Sequence, residues 1–231
     1  MLDRDPLAPT LANRLRGEAF KAGGGLVRWA WATARSYGAI GPESWRARRF
    51  GSFGTGSIVA FPYEAIVNEQ GIHLGRDTVI AARVVLSAGW MPDQPDLPER
   101  CVVIGDRCLI GRGSSVVGHR SIEIGDDVWT GQNVHITDMN HGYELLDRPI
   151  SRQHQPEAPV RVGAGSWLGH NVVVLPGASI GRHVVVGAGA VVTGELPDHC
   201  VAVGVPARVV RRYEPGAGWR PVDRVAGDDV R

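Results

Sequence analysis

One histidine, His141, lies in the segment ITDMNHGYE (residues 136–144), between stretches of regular sequence. An imidazole with its ordinary pKa of about 6.5 can accept a proton near neutral pH and donate it again. Asp138 and Glu144 lie close enough in the chain to hold its second ring nitrogen, and a backbone carbonyl would serve equally. The pattern therefore predicts a general base at His141, oriented by one of these groups.

The sequence on both sides of this segment repeats every six residues. Aliphatic side chains recur at that step, at Leu74, Ile80, Leu86, Ile104, Ile110, Val116, Ile122, Val162, Leu168, Val174, Ile180, Val186 and Val192. In the last run of six, from Val162 to Val192, four positions are followed by glycine. Such a fixed period is typical of a solenoid, and a histidine-bearing loop that interrupts it is a candidate for function.

Each six-residue unit has room for one short strand and one turn. β-Branched residues suit a pleated surface, while Gly, Asn and Asp tolerate the positive φ of tight corners. Three units would close a triangular coil whose aliphatic side chains point inwards and stack on those of the next coil. The spacing predicts an all-β, parallel β-helix solenoid; a β-sandwich of short strands, the alternative, would show irregular turn spacing.

The sequence VGAGSWLGHNVVVLPGASIGRHVVVGAGAVVTGELPDHCVAVGVPARVV, at residues 162–210, resembles the hexapeptide-repeat acyltransferases. The resemblance extends over residues 57–213. Within the family, the sequence is similar in particular to the maltose and galactoside O-acetyltransferases. It implies a left-handed β-helix, a homotrimer and active sites between neighbouring subunits. It also implies that His141 is the general base of acyl transfer from acetyl-CoA, or another short acyl-CoA, to a hydroxyl, with no metal. No sequence feature makes a serine or cysteine a nucleophile, so direct transfer is expected.

The same resemblance assigns residues to the acyl-CoA. Trp167 would flank the pantetheine or acceptor pocket, and the backbone near Gly169 and His170 would receive the thioester oxyanion. The pantetheine arm would follow Ala188, Thr193 and Gly194, and the phosphates would meet Arg208 and Arg211. Two of these positions depart from the family pattern, since the sugar enzymes often carry lysine in place of Gly194 and serine in place of His170.

The acceptor side departs further from the family. The sugar enzymes place an acceptor-binding asparagine where this chain has Gly113 and Ser114. Ser114, Asn133 and Asn140 are therefore assigned to acceptor hydrogen bonds. The acceptor is expected to be the hydroxyl of a sugar, an oligosaccharide or a glycolipid.

Three regions flank or interrupt the repeat. Residues 1–57 are predicted as a helical segment, with two short helices joined by the glycines at 23–25. It is interpreted as a cap on the solenoid or on a neighbouring subunit, in preference to a membrane-surface helix. The solenoid is expected at 58–213, with loops at 88–100 and 137–161, and a polar, loose tail at 214–231.

Composition narrows the class of protein. The chain has 231 residues and a formal net charge of +1, so no overall basic field favours nucleic acid. Its three cysteines lack a CxxC spacing, which suits a reducing compartment. The first ten residues do not resemble a signal peptide, and no run approaches the roughly 20 apolar residues of a membrane span. A cytoplasmic protein is expected.

Three alternatives stay open at this point. An antibiotic or xenobiotic acetyltransferase would share the fold and the chemistry and differ in the acceptor. A zinc-dependent carbonic anhydrase of β-helix type would need three histidines on one metal, for which His119, His135 and His141 are the candidates, although their spacing does not match that family. A scaffold without activity would lack the base histidine.

Overall fold

The computed structural model describes residues 11–222, with side chains from residue 23 onward, and divides the chain into two units after Gly38. The first unit holds one α-helix, α1 (Leu11–Gly38). The prediction of two short helices is wrong, because the glycines at 23–25 stay helical. Each glycine costs only about 1 kcal/mol relative to alanine, and the helix-forming sequence on both sides outweighs that cost. Within residues 11–222, no helix is both apolar and long enough to cross a bilayer.

The second unit is built from coils of three short strands. The first three coils contain β1 (Ser52–Phe53), β2 (Ile58–Val59), β3 (Ala65–Val67), β4 (Ile72–Leu74), β5 (Val79–Ile80), β6 (Val85–Ala88), β7 (Val102–Ile104), β8 (Leu109–Ile110) and β9 (Ser115–Gly118). The next three contain β10 (Ile122–Ile124), β11 (Trp129–Thr130), β12 (His135–Thr137), β13 (Val160–Val162), β14 (Trp167–Leu168), β15 (Val173–Val174), β16 (Ser179–Ile180), β17 (Val185–Val186) and β18 (Val191–Val192). The chain ends with β19 (Glu195–Leu196), β20 (Cys200–Val203), β21 (Arg208–Glu214) and β22 (Gly218–Pro221). Short 3-10 turns lie at Trp45–Arg49, Glu69–Gly71 and Ile150–Arg152.

Equivalent strands of successive coils pair in parallel and form three sheets. The first sheet has the order β1-β4-β7-β10-β13-β16-β19, the second β2-β5-β8-β11-β14-β17-β20-β21-β22, and the third β3-β6-β9-β12-β15-β18. The register keeps the six-residue repeat in phase, so that Ile104, Ile124, Val162 and Ile180 stand directly over one another. The molecule is a three-sided parallel β-helix, and the predicted fold class is confirmed.

The core is a single column of aliphatic side chains inside this prism. The repeating positions of the sequence are 0–2% exposed, as Leu86, Ile110, Leu168 and Val186 illustrate. Burying a side chain of this size stabilises a fold by about 1.5–3 kcal/mol. Because one coil cannot bury its own apolar face, stability depends on the stacking of neighbours.

Buried hydroxyl groups connect the corners of successive coils. The Oγ of Ser57 accepts a hydrogen bond from the Thr78 amide (2.9 Å), and the Thr78 Oγ1 accepts one from the Cys108 amide (3.0 Å). The Ser166 Oγ accepts from the Val184 amide in the same way (3.0 Å). These side chains satisfy amides that turn inwards at a corner, where a coil has no ladder partner for them.

An antiparallel hairpin follows the last coil. Strand β21 pairs with β20 and then with β22, and the rings of Tyr213 and Trp219 lie 5.8 Å apart across the hairpin. The prediction of a loose tail from Glu214 is therefore wrong up to Pro221, because Gly216 and Gly218, both with positive φ, allow the chain to reverse. Residues 223–231 lie outside the described part of the chain.

The three cysteines are free and buried within the solenoid. Desolvation raises the pKa of the Cys101 thiol to about 11, and burial also raises the pKa of Cys108 and Cys200. The thiolate is the reactive form of cysteine, so these side chains act as small apolar residues of the core.

Candidate active site

Both long loops leave the solenoid along one edge. The segment 89–101 follows β6 and the segment 138–159 follows β12, in each case where the chain passes from the third sheet to the first. The short corner 119–121, after β9, lies between them on the same edge. We call this the loop edge.

The loop that carries His141 is a two-stranded ribbon over its first and last residues. Backbone hydrogen bonds join Ala158 N to Asp138 O (2.8 Å), Asn140 N to Pro156 O (3.0 Å) and Gly142 N to His154 O (3.0 Å). A bridge between Met139 and Glu157 completes the pairing. His141 is therefore held near the solenoid by regular backbone pairing and not by an irregular loop.

The His141 ring is exposed and has one side-chain neighbour on the returning strand. The Gln155 Nε2 lies 3.4 Å from the His141 Nδ1, and the His141 amide donates to the Asn140 Oδ1 at 3.0 Å. The Gln155 Oε1 is buried and has no hydrogen-bond partner. Since the amide can rotate to present either atom, its oxygen can accept a hydrogen bond from a protonated Nδ1 and leave the His141 Nε2 without a proton.

The two carboxylates nominated to orient His141 make other contacts. Asp138 is 0% exposed, and its carboxylate accepts hydrogen bonds from the amides of His119 (2.7 Å), Arg120 (2.8 Å) and Ser121 (2.7 Å). The Glu144 Oε2 accepts from the Tyr143 amide at 2.9 Å. We therefore correct both assignments. Asp138 stabilises the corner 119–121, because its carboxylate accepts hydrogen bonds from the three amides there. Glu144 stabilises its own turn.

His119 connects the two loops at this edge. Its side chain is 5% exposed, and its ring stacks on Trp90 of the first loop, with centroids 5.9 Å apart and an angle of 28° between planes. Its Nδ1 lies 3.7 Å from the Glu157 Oε1 of the second loop. Sequence reasoning gave His119 no such role, because the contact joins segments that are distant in the chain.

The residues assigned to the acceptor do not come together. Ser114 is 1% exposed, and its Oγ accepts a hydrogen bond from the Val134 amide at 3.0 Å. It belongs to the core, so its assignment as an acceptor-binding residue is wrong. Asn133 occupies a positive-φ corner between the second and third sheets, where its Nδ2 donates to the Asn171 Oδ1 (3.3 Å). Asn140 alone of the three lies beside His141.

The residues assigned to the acyl-CoA spread over several parts of the prism, one of which is the loop edge itself. Trp167 is 52% exposed on the second sheet, in register with Trp129, which is 57% exposed and was missed by sequence reasoning. Gly169, His170 and Ala188 lie where the second sheet passes to the third, and the Gly169 amide is used in the ladder, donating to the Val186 oxygen at 2.8 Å. Thr193 and Gly194 lie exposed on the loop edge, and Arg208 and Arg211 lie exposed on β21.

The geometry of the prism separates His141 from Trp167. The loop edge is the corner between the third and first sheets, which lies opposite the second sheet. One chain thus presents His141 at one edge and Trp167, Arg208 and Arg211 on the opposite face. A site that used all of them would need a second copy of the chain.

A groove of about 560 Å³ follows the first sheet towards the corner where its strands pass to the second sheet. Charged side chains line it, among them Arg100, Glu123, Asp126 and Arg161, and the Arg161 Nε lies 3.6 Å from the Glu123 Oε2. Balanced charge of this kind suits a polar, hydroxyl-rich ligand better than an apolar one.

Metal-ligating side chains do not cluster in residues 11–222, where no group of three or more His, Cys, Asp or Glu is arranged to hold an ion. The three histidines considered for zinc stand apart. His119 is stacked on Trp90, the His135 Nδ1 lies 2.6 Å from the Ser115 Oγ, and His141 is on the ribbon.

Two family models match the chain. Residues 159–194 match the bacterial transferase hexapeptide model, and residues 101–138 match the hexapeptide repeat of succinyl-transferase. The chain therefore carries the hexapeptide repeat that these transferase models describe.

Similar proteins carry acetyltransferase names. A Mycobacterium tuberculosis protein named a probable acetyltransferase is 41% identical over 110 residues, which are 48% of this chain and 37% of that protein. The Escherichia coli protein WbbJ, whose name assigns it to lipopolysaccharide biosynthesis as an O-acetyl transferase, is 42% identical over 119 residues, 48% of this chain and 61% of that protein. The chain thus spans less than two thirds of the length of these relatives.

The solved structures include a fold relative. A mutant of AntD, an N-acyltransferase from Bacillus cereus in complex with dTDP and coenzyme A, superposes with a TM-score of 0.64 at 21% identity. The match covers 75% of this chain and 90% of AntD. The fold shared with this structure is the left-handed parallel β-helix.

Proposed function

We propose that the protein is a coenzyme A-dependent O-acyltransferase that transfers an acyl group, acetyl by default, to a hydroxyl of a saccharide or lipid-linked saccharide. The observation that carries the proposal is His141, held on a paired ribbon where the solenoid repeat is interrupted. The acetyltransferase names of the relatives support the reaction class, and the name of WbbJ supports a saccharide acceptor.

In this mechanism the His141 Nε2 removes the proton of the acceptor hydroxyl as its oxygen attacks the thioester carbonyl. The new C–O bond forms, the C–S bond breaks, and the imidazolium returns the proton to the departing thiolate. Base catalysis of this kind contributes about 10²–10⁴-fold in rate. Coenzyme A leaves as the free thiol, and no covalent acyl-enzyme is needed.

Gln155 is the residue that we assign to orienting the base. With its amide oxygen towards the His141 Nδ1, it selects the tautomer whose Nε2 can accept a proton. The amide carries no charge, so it orients the ring through a hydrogen bond alone.

The complete site is proposed to form between subunits of a homotrimer. His141 of one subunit would face Trp167, Arg208 and Arg211 of the next, with the arginines on the phosphates of coenzyme A. The exposed ladder of Trp129 and Trp167 gives the pantetheine arm an apolar surface. The separation of the loop edge from the second sheet supports this arrangement, because one subunit does not gather these residues.

The acceptor is proposed to lie in the groove of the first sheet, which carries balanced charge and includes one loop-edge residue, Arg100. Asn140, next to the base, would hold the reacting hydroxyl. A cytoplasmic location is supported by the three free cysteines, since such thiols suit a reducing compartment.

The test measures thiol release from acetyl-CoA against panels of monosaccharides, oligosaccharides, lipid-linked saccharides and antibiotics. Wild type is compared with His141→Ala, whose exposed side chain can be removed without disturbing the core. Turnover that needs a saccharide and falls at least about 100-fold in the variant supports the proposal. Turnover unchanged by the substitution removes His141 from the mechanism, and turnover with antibiotics alone selects the other acceptor class.

A further inference from the structure

The C-terminal half of α1 exposes large apolar side chains. Leu26, Val27, Trp29 and Tyr37 are 64%, 67%, 65% and 88% exposed. Exposed apolar surface of this extent marks an interaction site, so the helix is expected to bind an apolar partner.

Three of the apolar residues lie on the side of the helix opposite the basic residues, while Val27 and the half-exposed Trp31 flank the basic side. At 100° per residue, Leu26, Trp29 and Tyr37 fall within an arc of about 80°. Arg28 and Arg35, seven residues apart, share a stripe on the opposite side. No acidic residue occurs between positions 23 and 38.

The positive charge of the chain is concentrated in this helix. The sequence of α1 contains five basic residues, Arg14, Arg16, Lys21, Arg28 and Arg35, and one acidic residue, Glu18. The whole chain has 25 basic and 24 acidic residues, so 20 basic and 23 acidic residues remain outside α1. An anionic surface would therefore attract the helix while the rest of the chain is slightly repelled.

We propose that α1 lies in the headgroup layer of an anionic membrane, parallel to its surface. Its apolar side would enter the acyl boundary, and Trp29 and Tyr37, which have an apolar ring and a polar tip, suit that boundary. Arg28 and Arg35 would extend their charges to lipid phosphates. At about 1.5 Å per residue its 28 residues extend about 42 Å along the surface. The helix does not have the composition of a spanning segment.

This inference goes beyond the proposed reaction and does not depend on catalysis. The experiment is co-sedimentation of the full-length protein, without acyl-CoA, with vesicles of phosphatidylcholine alone or mixed with phosphatidylglycerol. Binding is expected to the mixed vesicles and to weaken with added salt. The double variant Leu26→Glu/Trp29→Glu should bind at least about tenfold more weakly, since both side chains lose their apolar burial. Arg28→Glu/Arg35→Glu should lose the preference for anionic lipid.

The matched control is Trp45→Glu, which changes a tryptophan that is 70% exposed outside α1 and should bind like wild type. Failure of the wild type to sediment with anionic vesicles overturns the proposal, as does equal loss in the control. Light scattering of the same samples without lipid tests the alternative, in which a second copy of the chain covers the helix. A mass that falls in Leu26→Glu/Trp29→Glu, together with no vesicle binding by wild type, means that a second copy covers the helix. None of these readouts requires acyl transfer, so failure of the proposed reaction is separately visible.

Discussion

At the scale of single residues, the surroundings of His141 determine how its imidazole would work. Its ring meets a neutral amide, Gln155, 3.4 Å away, and neither neighbouring carboxylate. In the proposed mechanism the partner would therefore orient the ring by a hydrogen bond and not by charge.

The first prediction concerns this partner. Gln155→Glu should raise the pKa of His141, because an ionised carboxylate stabilises the imidazolium. The acid limb of the pH profile of kcat/KM should then move to higher pH, while Gln155→Ala should lower kcat without moving that limb upwards. A profile of Gln155→Glu that overlays the wild type would show that the two side chains do not interact.

Asp138 carries the second prediction. Asp138→Ala should lower the free energy of unfolding by about 3 kcal/mol, since three amides at 119–121 lose a charged acceptor. Asp138→Asn, which keeps one oxygen, should lose about half as much. Urea unfolding measures both values. Stability equal to wild type in Asp138→Ala would show that water replaces the carboxylate at this corner.

His135 makes stability depend on pH. Burial lowers its pKa below the ordinary 6.5, so the unfolded chain binds a proton more readily than the folded one. Its contribution to stability is therefore present above pH 6.5 and is lost as the pH falls below that value. Asp106, Asp127 and Asp198 have pKa values below 3.8, so they change charge outside this window.

The third prediction follows from that sign. The free energy of unfolding of wild type should fall between pH 7 and pH 5, and His135→Gln should flatten the fall. Denaturant titrations across this range measure the slope. An unchanged slope in His135→Gln would assign the pH dependence to another group.

The sequence singled out His141 and the adjacent Asn140, but not the side chain that meets the ring. The histidine stands out because it interrupts a regular period, and the period needs no structure to be seen. Gln155 follows 14 residues later, and it reaches the ring only because the loop folds back as a ribbon. Ser114 was assigned to the acceptor because it stands where the sugar enzymes place an asparagine, and only the coil register shows that it points into the core.

At the scale of elements, the corners set how closely coils can stack. A side chain on Gly111 would overlap the backbone oxygen of Gly131 in the next coil. Backbone atoms inside a ladder cannot move aside without breaking hydrogen bonds on both faces. The glycine that follows an aliphatic position is therefore a spacing requirement between coils.

The fourth prediction compares two glycines. Gly111→Ala should destabilise the protein by about 2–3 kcal/mol, because the methyl group forces two coils apart. Gly194→Ala, whose methyl group would meet no atom within 4 Å, should change stability by less than about 0.5 kcal/mol. Thermal or urea unfolding tests the pair, and equal effects would contradict the spacing argument.

The strands were the most predictable elements, since a six-residue period specifies both their spacing and their buried positions. The ends of the chain were not. A triple glycine usually interrupts a helix, yet α1 continues through residues 23–25, and local composition does not reveal that outcome. The hairpin of β21 and β22 depends on pairing with β20, which composition also does not contain.

At the scale of the whole molecule, the three-sided solenoid places His141 on an edge and Trp167 on a face. The proposed homotrimer would turn the loop edge of one subunit towards the second sheet of its neighbour. A ring of identical interfaces repeats that contact three times.

The fifth prediction tests the shared site. His141→Ala and the double variant Arg208→Ala/Arg211→Ala should each be nearly inactive when acetyl-CoA is well below its KM. When the two are co-expressed, hybrid trimers should recover about a quarter of the wild-type sites, because random mixing pairs intact halves at that frequency. Hybrids as inactive as their parents would place the whole site within one subunit. Light scattering should give three times the 24.8 kDa mass of the chain.

The buried cysteines have a practical consequence for all of these assays. Cys101, Cys108 and Cys200 are 0–2% exposed, and burial raises the pKa of each thiol. A disulfide reagent that reports free sulfhydryls would find none on the folded chain. The absorbance it produces would then report only the thiol of released coenzyme A. A slow additional rise from protein thiols would report unfolding of the chain in the same sample.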